Sequence, residues 1–167
     1  HVYTDGSVGV STGAVEMGQG VNQKIRRIVA LTLGISIDLV RLETTNTTRV
    51  ANTSPTAASS GADMNGMAAR TACLQILSRL RTVAAQMALS CVYRTGQRFG
   101  AAYLTDVLMG SATDRIQRFG HDRIKTFGVG QEIPAATWRS VFRQLTASGH
   151  LSVNMSEISG FRLTEKS

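Results

Sequence analysis

Residues 67–95 read MAARTACLQILSRLRTVAAQMALSCVYRT, twenty-nine residues without glycine or proline. Alanine, leucine, methionine, glutamine and arginine dominate the stretch, and all are strong helix formers. Leu74, Leu77 and Leu80, then Ala84, Met87, Ala88 and Cys91, recur at three- and four-residue spacing, as on one helical face. Two readings stay open. One has two helices separated by a turn near 79–82; the other is a single helix of about 28 residues, and nothing in the local sequence stops it. The single helix is the favoured reading, and it would fuse the two flanks rigidly rather than tether them.

The flanks differ in kind. On the N-terminal side, Val2-Tyr3-Thr4 and residues 8–11 surround Asp5-Gly6-Ser7, the pattern of a β-hairpin. Glu16-Met17-Gly18-Gln19-Gly20 precedes a helical pattern of Val21, Ile25, Ile28, Val29 and Thr32, which Gly34 stops at its C′ position. Residues 39–43 read as a strand, 44–56 as a polar Thr/Asn loop, and a further helix begins near Asp63.

On the C-terminal side, residues 84–93 read as helix and Gly96-Gln97-Arg98-Phe99-Gly100 as a turn. Tyr103, Leu104, Val107 and Leu108 mark a second helix, ended by Gly110. Short helical pieces follow at 115–119 and 122–127. Pro134 opens a third helix with Trp138, Val141, Phe142 and Leu145 on its apolar stripe. Short strands at 151–155 and 160–163 enclose Ser156-Glu157. Three main helices and a β-hairpin are the order of a winged helix. The fold class is therefore α+β: an N-terminal β-hairpin and βαβα fragment, joined through a long helix to a C-terminal winged helix. The division falls at 1–81 and 82–167.

Bulk properties fit that division. A length of 167 residues suits one domain or two small ones, and 43% apolar residues is ordinary for a globular chain. No apolar run approaches the ~20 residues that span a bilayer. The longest, residues 28–33, is broken by Thr32, and no membrane partner is expected. HVYTDGSVGV lacks the basic-then-apolar build of a signal peptide. A start without Met is expected of a processed or excised segment. Cys73 and Cys91 lie in helical patterns with no metal-ligand spacing, so buried reduced thiols and a cytoplasmic setting are expected.

The net charge is +7 and the two parts share it, +3 over residues 1–81 and +4 over 82–167. A basic excess favours a polyanionic partner. In the second part Arg94 and Arg98 flank a glycine turn, Arg115, Arg118, His121, Arg123 and Lys125 crowd eleven residues, and Arg139 and Arg143 lie one helical turn apart. Phosphate contact is the natural work of such groups. The alternative for each is a surface ion pair with Asp114, Asp122 or Glu132. His121 reads as the cap of the helical piece that follows it. Trp138 and Phe142 read as core rather than as platforms for bases, while Phe99 is left open.

In the first part, Gly18-Gln19-Gly20 and Ser59-Ser60-Gly61 each precede a helix, where backbone N–H groups favour an anion. The residues alone leave a flexible turn and an N-cap as the other reading. VEMGQGVNQK followed by ANTSPTAASSGADMNG resembles the molybdenum-binding subunit of the xanthine dehydrogenase and aldehyde oxidase family, over about residues 2–80. The resemblance implies that Gln19, between Gly18 and Gly20, hydrogen-bonds a metal oxo group. It also implies that Ala58, Ser59, Ser60 and Gly61 help to hold a pyranopterin and its phosphate. The family's catalytic glutamate follows a glycine-rich turn in a much longer chain, and Glu16 does not match it. No hydroxylation is therefore expected, no catalytic residue is assigned, and no cofactor is expected unless this part keeps the family's molybdenum pterin.

ALSCVYRTGQRFGAAYLTDVLMG, IQRFGHDRIKTFGVG, WRSVFRQLTASGHL and FRLTE resemble the RecQ C-terminal winged-helix domain of bacterial RecQ-type DNA helicases, over about residues 84–167. That resemblance implies DNA binding and docking of the acidic tail of single-stranded-DNA-binding protein. With no Walker A sequence, ATP hydrolysis and unwinding are not expected. The whole is expected to be a non-catalytic chimera or fragment. Its alternatives are a folded chimera without biological function and a pterin-binding fragment. Surface exposed on the first part is expected to be covered either by packing on the second part or by a homodimer.

Overall fold

The computed structural model describes residues 1–43, 45–50, 55–57, 60–154 and 160–167. The polar loop is thus described in part, and the Ser156-Glu157 turn lies outside the described residues. The chain forms two compact units, His1–Arg79 and Leu80–Ser167.

In the first unit, β1 (Val8–Val10) leads through α1 (Val21–Leu33) and a 3-10 turn (Ile37–Leu39) to β2 (Val40–Leu42). β1 and β2 pair in parallel, Val8 opposite Val40 and Val10 opposite Leu42. A parallel pair needs a crossover connection, and α1 supplies it. The expected hairpin around Asp5-Gly6 shrinks to one antiparallel bridge, Val2 with Val8, because β1 finds its main partner thirty-two residues on. Asp5 fixes the turn by accepting from the Ser7 amide and hydroxyl at 2.9 and 2.7 Å.

The buried residues of α1 are Val21, Ile25, Val29 and Ala30, close to the stripe read from its spacing. Gly34 ends the helix in the left-handed conformation, φ 71°, its amide bonded to Ala30 O. Arg26 ties the helix to the ribbon, donating to Val40 O at 2.9 Å and Ile37 O at 3.0 Å.

α2 runs unbroken over Ser60–Arg94, so the single-helix reading of the central stretch holds and its start lies three residues before Asp63. Its apolar stripe is not continuous. Cys73 packs with Val8, Val29 and Val40 in the first unit; Ala88, Cys91 and Val92 join the core of the second. Residues 78–83 between them are exposed, Leu80 at 56%.

In the second unit, α3 (Ala101–Met109), α4 (Asp114–Arg118), a 3-10 turn (His121–Arg123) and α5 (Ala135–Ala147) precede the antiparallel pair β3 (Leu151–Asn154) and β4 (Gly160–Leu163). The piece expected at 122–127 is this short 3-10 turn followed by further turns. Trp138, Phe142 and Leu145 of α5 close on Leu104, Val107, Leu108, Cys91 and Phe161. Burying each large side chain contributes about 1.5–3 kcal/mol. Burial also pushes the Cys91 thiol up to about 12, so it stays a protonated, unreactive core group at neutral pH.

Trp138 is fully buried, and its Nε1–H donates to Gly130 O at 3.0 Å. A methyl group at Gly130 would lie 2.7 Å from Trp138 Cε2 and 2.8 Å from Nε1. Gly130→Ala should therefore destabilise the second unit by about 1–3 kcal/mol, as overpacking does. Thermal unfolding followed by fluorescence of Trp138, the chain's one tryptophan, should show the lowered midpoint.

Candidate nucleic-acid interface

The turn after α2 is unusual in its backbone. Gly96 and Gln97 both take left-handed conformations, φ 80° and 56°, and Gln97 is not glycine. Its side-chain Oε1 accepts from Leu163 N at 2.9 Å, a bond to β4 that holds this otherwise disfavoured geometry. Phe161 N donates to Phe99 O at 3.1 Å. Gly160 lies so close that an added Cβ would sit 2.5 Å from Arg98 O. Arg98 and Phe99 are therefore placed by the wing strand.

Phe99 is buried and stacks on Tyr103 of α3, centroids 4.1 Å apart and planes 16° from parallel. Phe119 and His121 meet Phe99 edge-on at 5.2 Å, and they stack on each other at 5.9 Å and 23°. Tyr103 Oη and His121 Nδ1 are 2.7 Å apart. His121 thus lies inside its 3-10 turn and bonds to α3, whereas the expected cap position belongs to Gly120. The Arg115 guanidinium sits over the same rings, 5.3 Å from the Tyr103 centroid and 5.8 Å from that of Phe99, in the range of cation–π attraction.

The fold thereby gathers Arg98, Arg115 and His121 round one aromatic cluster. Arg118 is exposed three residues beyond Arg115 on α4. Arg123 lies 4.0 Å from Asp122, the one ion pair of this unit among the described residues. Arg94 ends α2, Lys125 lies in the turns after the 3-10 turn, and Arg139 and Arg143 lie on α5; all four are exposed. Among the described residues, no hydrogen bond, ion pair or ring contact joins those four to the cluster. The ion pairs weighed for Asp114 and Glu132 do not form there either. Phe99, Tyr103 and Phe119 are the cluster's organising residues; the sequence reading left Phe99 open and gave Tyr103 and Phe119 no part in a site. The one signal was that Phe99 follows Arg98 and Phe119 follows Arg118.

The anion cradles of the first unit are different. Gly18 and Gly20 have positive φ, 95° and 75°, and their amides turn towards the Glu16 carboxylate. Glu16 already fills the cradle, its carboxylate accepting from the amides of Gly20 at 2.8 Å and of Gly18 and Asn22 at 3.0 Å. The Asn22, Gly20 and Gly18 amides hold the Glu16 carboxyl below its ordinary value. Gln19 turns back on its own loop, Nε2 donating to Val15 O at 2.8 Å and Oε1 accepting from Met17 N at 2.6 Å. In this fold a metal oxo group would compete with Val15 and Met17 for Gln19, and a phosphate would compete with Glu16 for the amides. The loop as folded does not fit the cofactor. Ser60 donates to Ala57 O at 2.9 Å and Gly61 lies in the first turn of α2; Ala58 and Ser59 lie outside the described residues.

Together these features define an α+β chain whose second unit is a winged helix with a cationic, aromatic face. The sequence model of the RQC domain matches residues 81–167, and that of the molybdopterin cofactor-binding domain matches residues 1–114. The chain therefore belongs to both families, the cofactor-binding family at its N-terminal end and the RQC family at its C-terminal end. Residues 81–114 fall in both matches, and most of α3 and the end of α2 build the second unit's core there. Similar proteins include xanthine dehydrogenase/oxidase of Gallus gallus, 49% identical over 83 residues, and nicotinate hydroxylase of Emericella nidulans, 51% identical over 80. These matches cover 50% and 48% of this chain but 6% of each relative, so the chain spans a small part of their length. Among the described residues no helix is long and apolar enough to cross a membrane.

Partial burial, then the Arg98 charge, lower the His121 pKa from 6.5, while Asp122 acts in the opposite sense. The unfolded chain thus takes up this proton before the folded one. The stability this histidine contributes is complete above pH 6.5 and declines as pH falls through the lowered value. Thermal unfolding from about pH 7 to about pH 5 should show a falling midpoint, and His121→Gln should flatten that fall.

Proposed function

We propose that the chain is a non-catalytic module that binds DNA, largely without sequence preference, through its winged-helix unit. The observation that supports this best is the gathering of Arg98, Arg115 and His121 round one aromatic cluster, with exposed Arg118 on the same helix as Arg115. Cations without carboxylate partners carry an unpaid repulsion that a phosphate backbone relieves, with release of counterions. The acidic tail of single-stranded-DNA-binding protein offers carboxylates to the same guanidinium groups and is the protein partner proposed. The setting proposed is cytoplasmic. Exposed Met64, Met67 and Leu31 of the first unit support a homodimer, which sedimentation would test.

Fluorescence anisotropy with forked DNA should show binding that weakens steeply between low and moderate salt. Arg98→Ala, Arg118→Ala and Lys125→Ala should each weaken it on every sequence and reduce the salt slope by about 1. No binding at low salt by a folded chain, as judged by circular dichroism, would leave the other reading, a folded chimera without biological function. The pterin-binding reading has the closed Gly18–Gly20 loop against it. Metal analysis of the purified chain should find no stoichiometric molybdenum.

A further inference from the structure

Phe119 is 48% exposed although it packs edge-on against the buried Phe99, and against Tyr103 at 6.5 Å and 84°. Its second ring neighbour is His121, near-parallel at 23°. A phenylalanine kept at the surface by an aromatic cluster, rather than drawn into the core, offers ring area to a flat partner. The surroundings decide which partner. Arg115 and Arg118 are exposed on the preceding helix, Arg98 lies near His121, and Asp122 is the one acid whose charge His121 feels. A flat apolar surface within a ring of cations matches an unpaired nucleobase carried on its phosphates.

We infer that Phe119, stacked with His121, is a subsite for one unpaired nucleobase at the end of a duplex or at a junction, with Arg98, Arg115 and Arg118 taking the adjacent phosphates. The inference rests on the DNA-binding reading and adds to it a preference for unpaired bases. It needs no sequence preference, since every base has a stacking face.

The test compares three labelled DNAs: a blunt duplex, the same duplex with a short single-stranded extension, and one whose extension is abasic but carries the same phosphates. The unaltered chain should bind the base-bearing extension about tenfold more tightly than the abasic one, the range of one base–aromatic stack. Phe119→Ala should abolish that difference, and Phe119→Tyr should preserve it. Equal affinity for base-bearing and abasic extensions, with duplex binding intact, overturns this inference alone. No binding to any of the three overturns the DNA reading and this subsite with it. A preference for an acidic peptide ending in an aromatic residue, lost in Phe119→Ala while the two extensions bind equally, assigns the platform to a protein and overturns the inference too. The extension comparison uses the unaltered chain, so it decides the matter even where Phe119→Ala does not fold.

Discussion

The contact between β4 and the turn at 96–99 is the constraint on which the basic face depends. Gly160 has no side chain to separate the strand from the Arg98 backbone, Phe161 N bonds Phe99 O, and Gln97 accepts from Leu163 N. The turn is thereby locked in a left-handed geometry that a non-glycine residue avoids unless its surroundings impose it. Phe99 follows directly, and its stack on Tyr103 carries the order onward to His121 and Arg115. A shift in the wing's register would move every one of these groups, because one residue of slip turns each strand side chain to the opposite face. The charged surface is thus a consequence of backbone pairing more than sixty residues away in the chain.

The first unit shows the opposite arrangement at its own loop. The Gly18–Gly20 amides are poised for an anion, and the nearest anion is in the same chain. An intramolecular carboxylate competes at a high effective concentration, so a free phosphate is at a disadvantage for the same N–H groups. The lowered Glu16 pKa keeps that carboxylate charged through neutral pH. Family resemblance in a motif's wording and an open cradle are therefore separate matters. The wording of residues 15–24 is that of a cofactor loop, while its hydrogen bonds are those of a closed helix start.

What could be read from the sequence followed the range of the interactions. Helices α1, α3 and α5 were legible because their periodicity is local, and Gly34 and Gly110 end their helices as read. The absence of glycine and proline from 67–95 foretold an unbroken α2. The pairing of β1 with β2 was not legible, since a short apolar run beside Asp-Gly looks like a hairpin and its real partner lies beyond α1. The exposure of Leu74 and Leu80 was not legible either: spacing marks a face but cannot say whether anything covers it. In the second unit the arginines and His121 were visible as a cluster in sequence. The gathering of Arg115 and His121 round Phe99 and Tyr103, without Arg94, Lys125, Arg139 and Arg143, needed the three-dimensional contacts.

Why the cluster persists is a matter of balance. Arg98 brings like charge towards His121, and Asp122 offsets it in part. The faces of Tyr103 and Phe99 are the negative ends of ring quadrupoles, so they attract Arg115 without a carboxylate and without neutralising it. An ion pair would have discharged the guanidinium towards a solvent anion; a ring leaves most of its charge available. Burial, then the Arg98 charge, lower the His121 pKa, and its Nδ1 lies 2.7 Å from the Tyr103 hydroxyl. The folded unit thus holds Arg115 in place over the rings without a carboxylate partner among the described residues. That is an electrostatic condition under which a phosphate gains, since it meets cations already held in place.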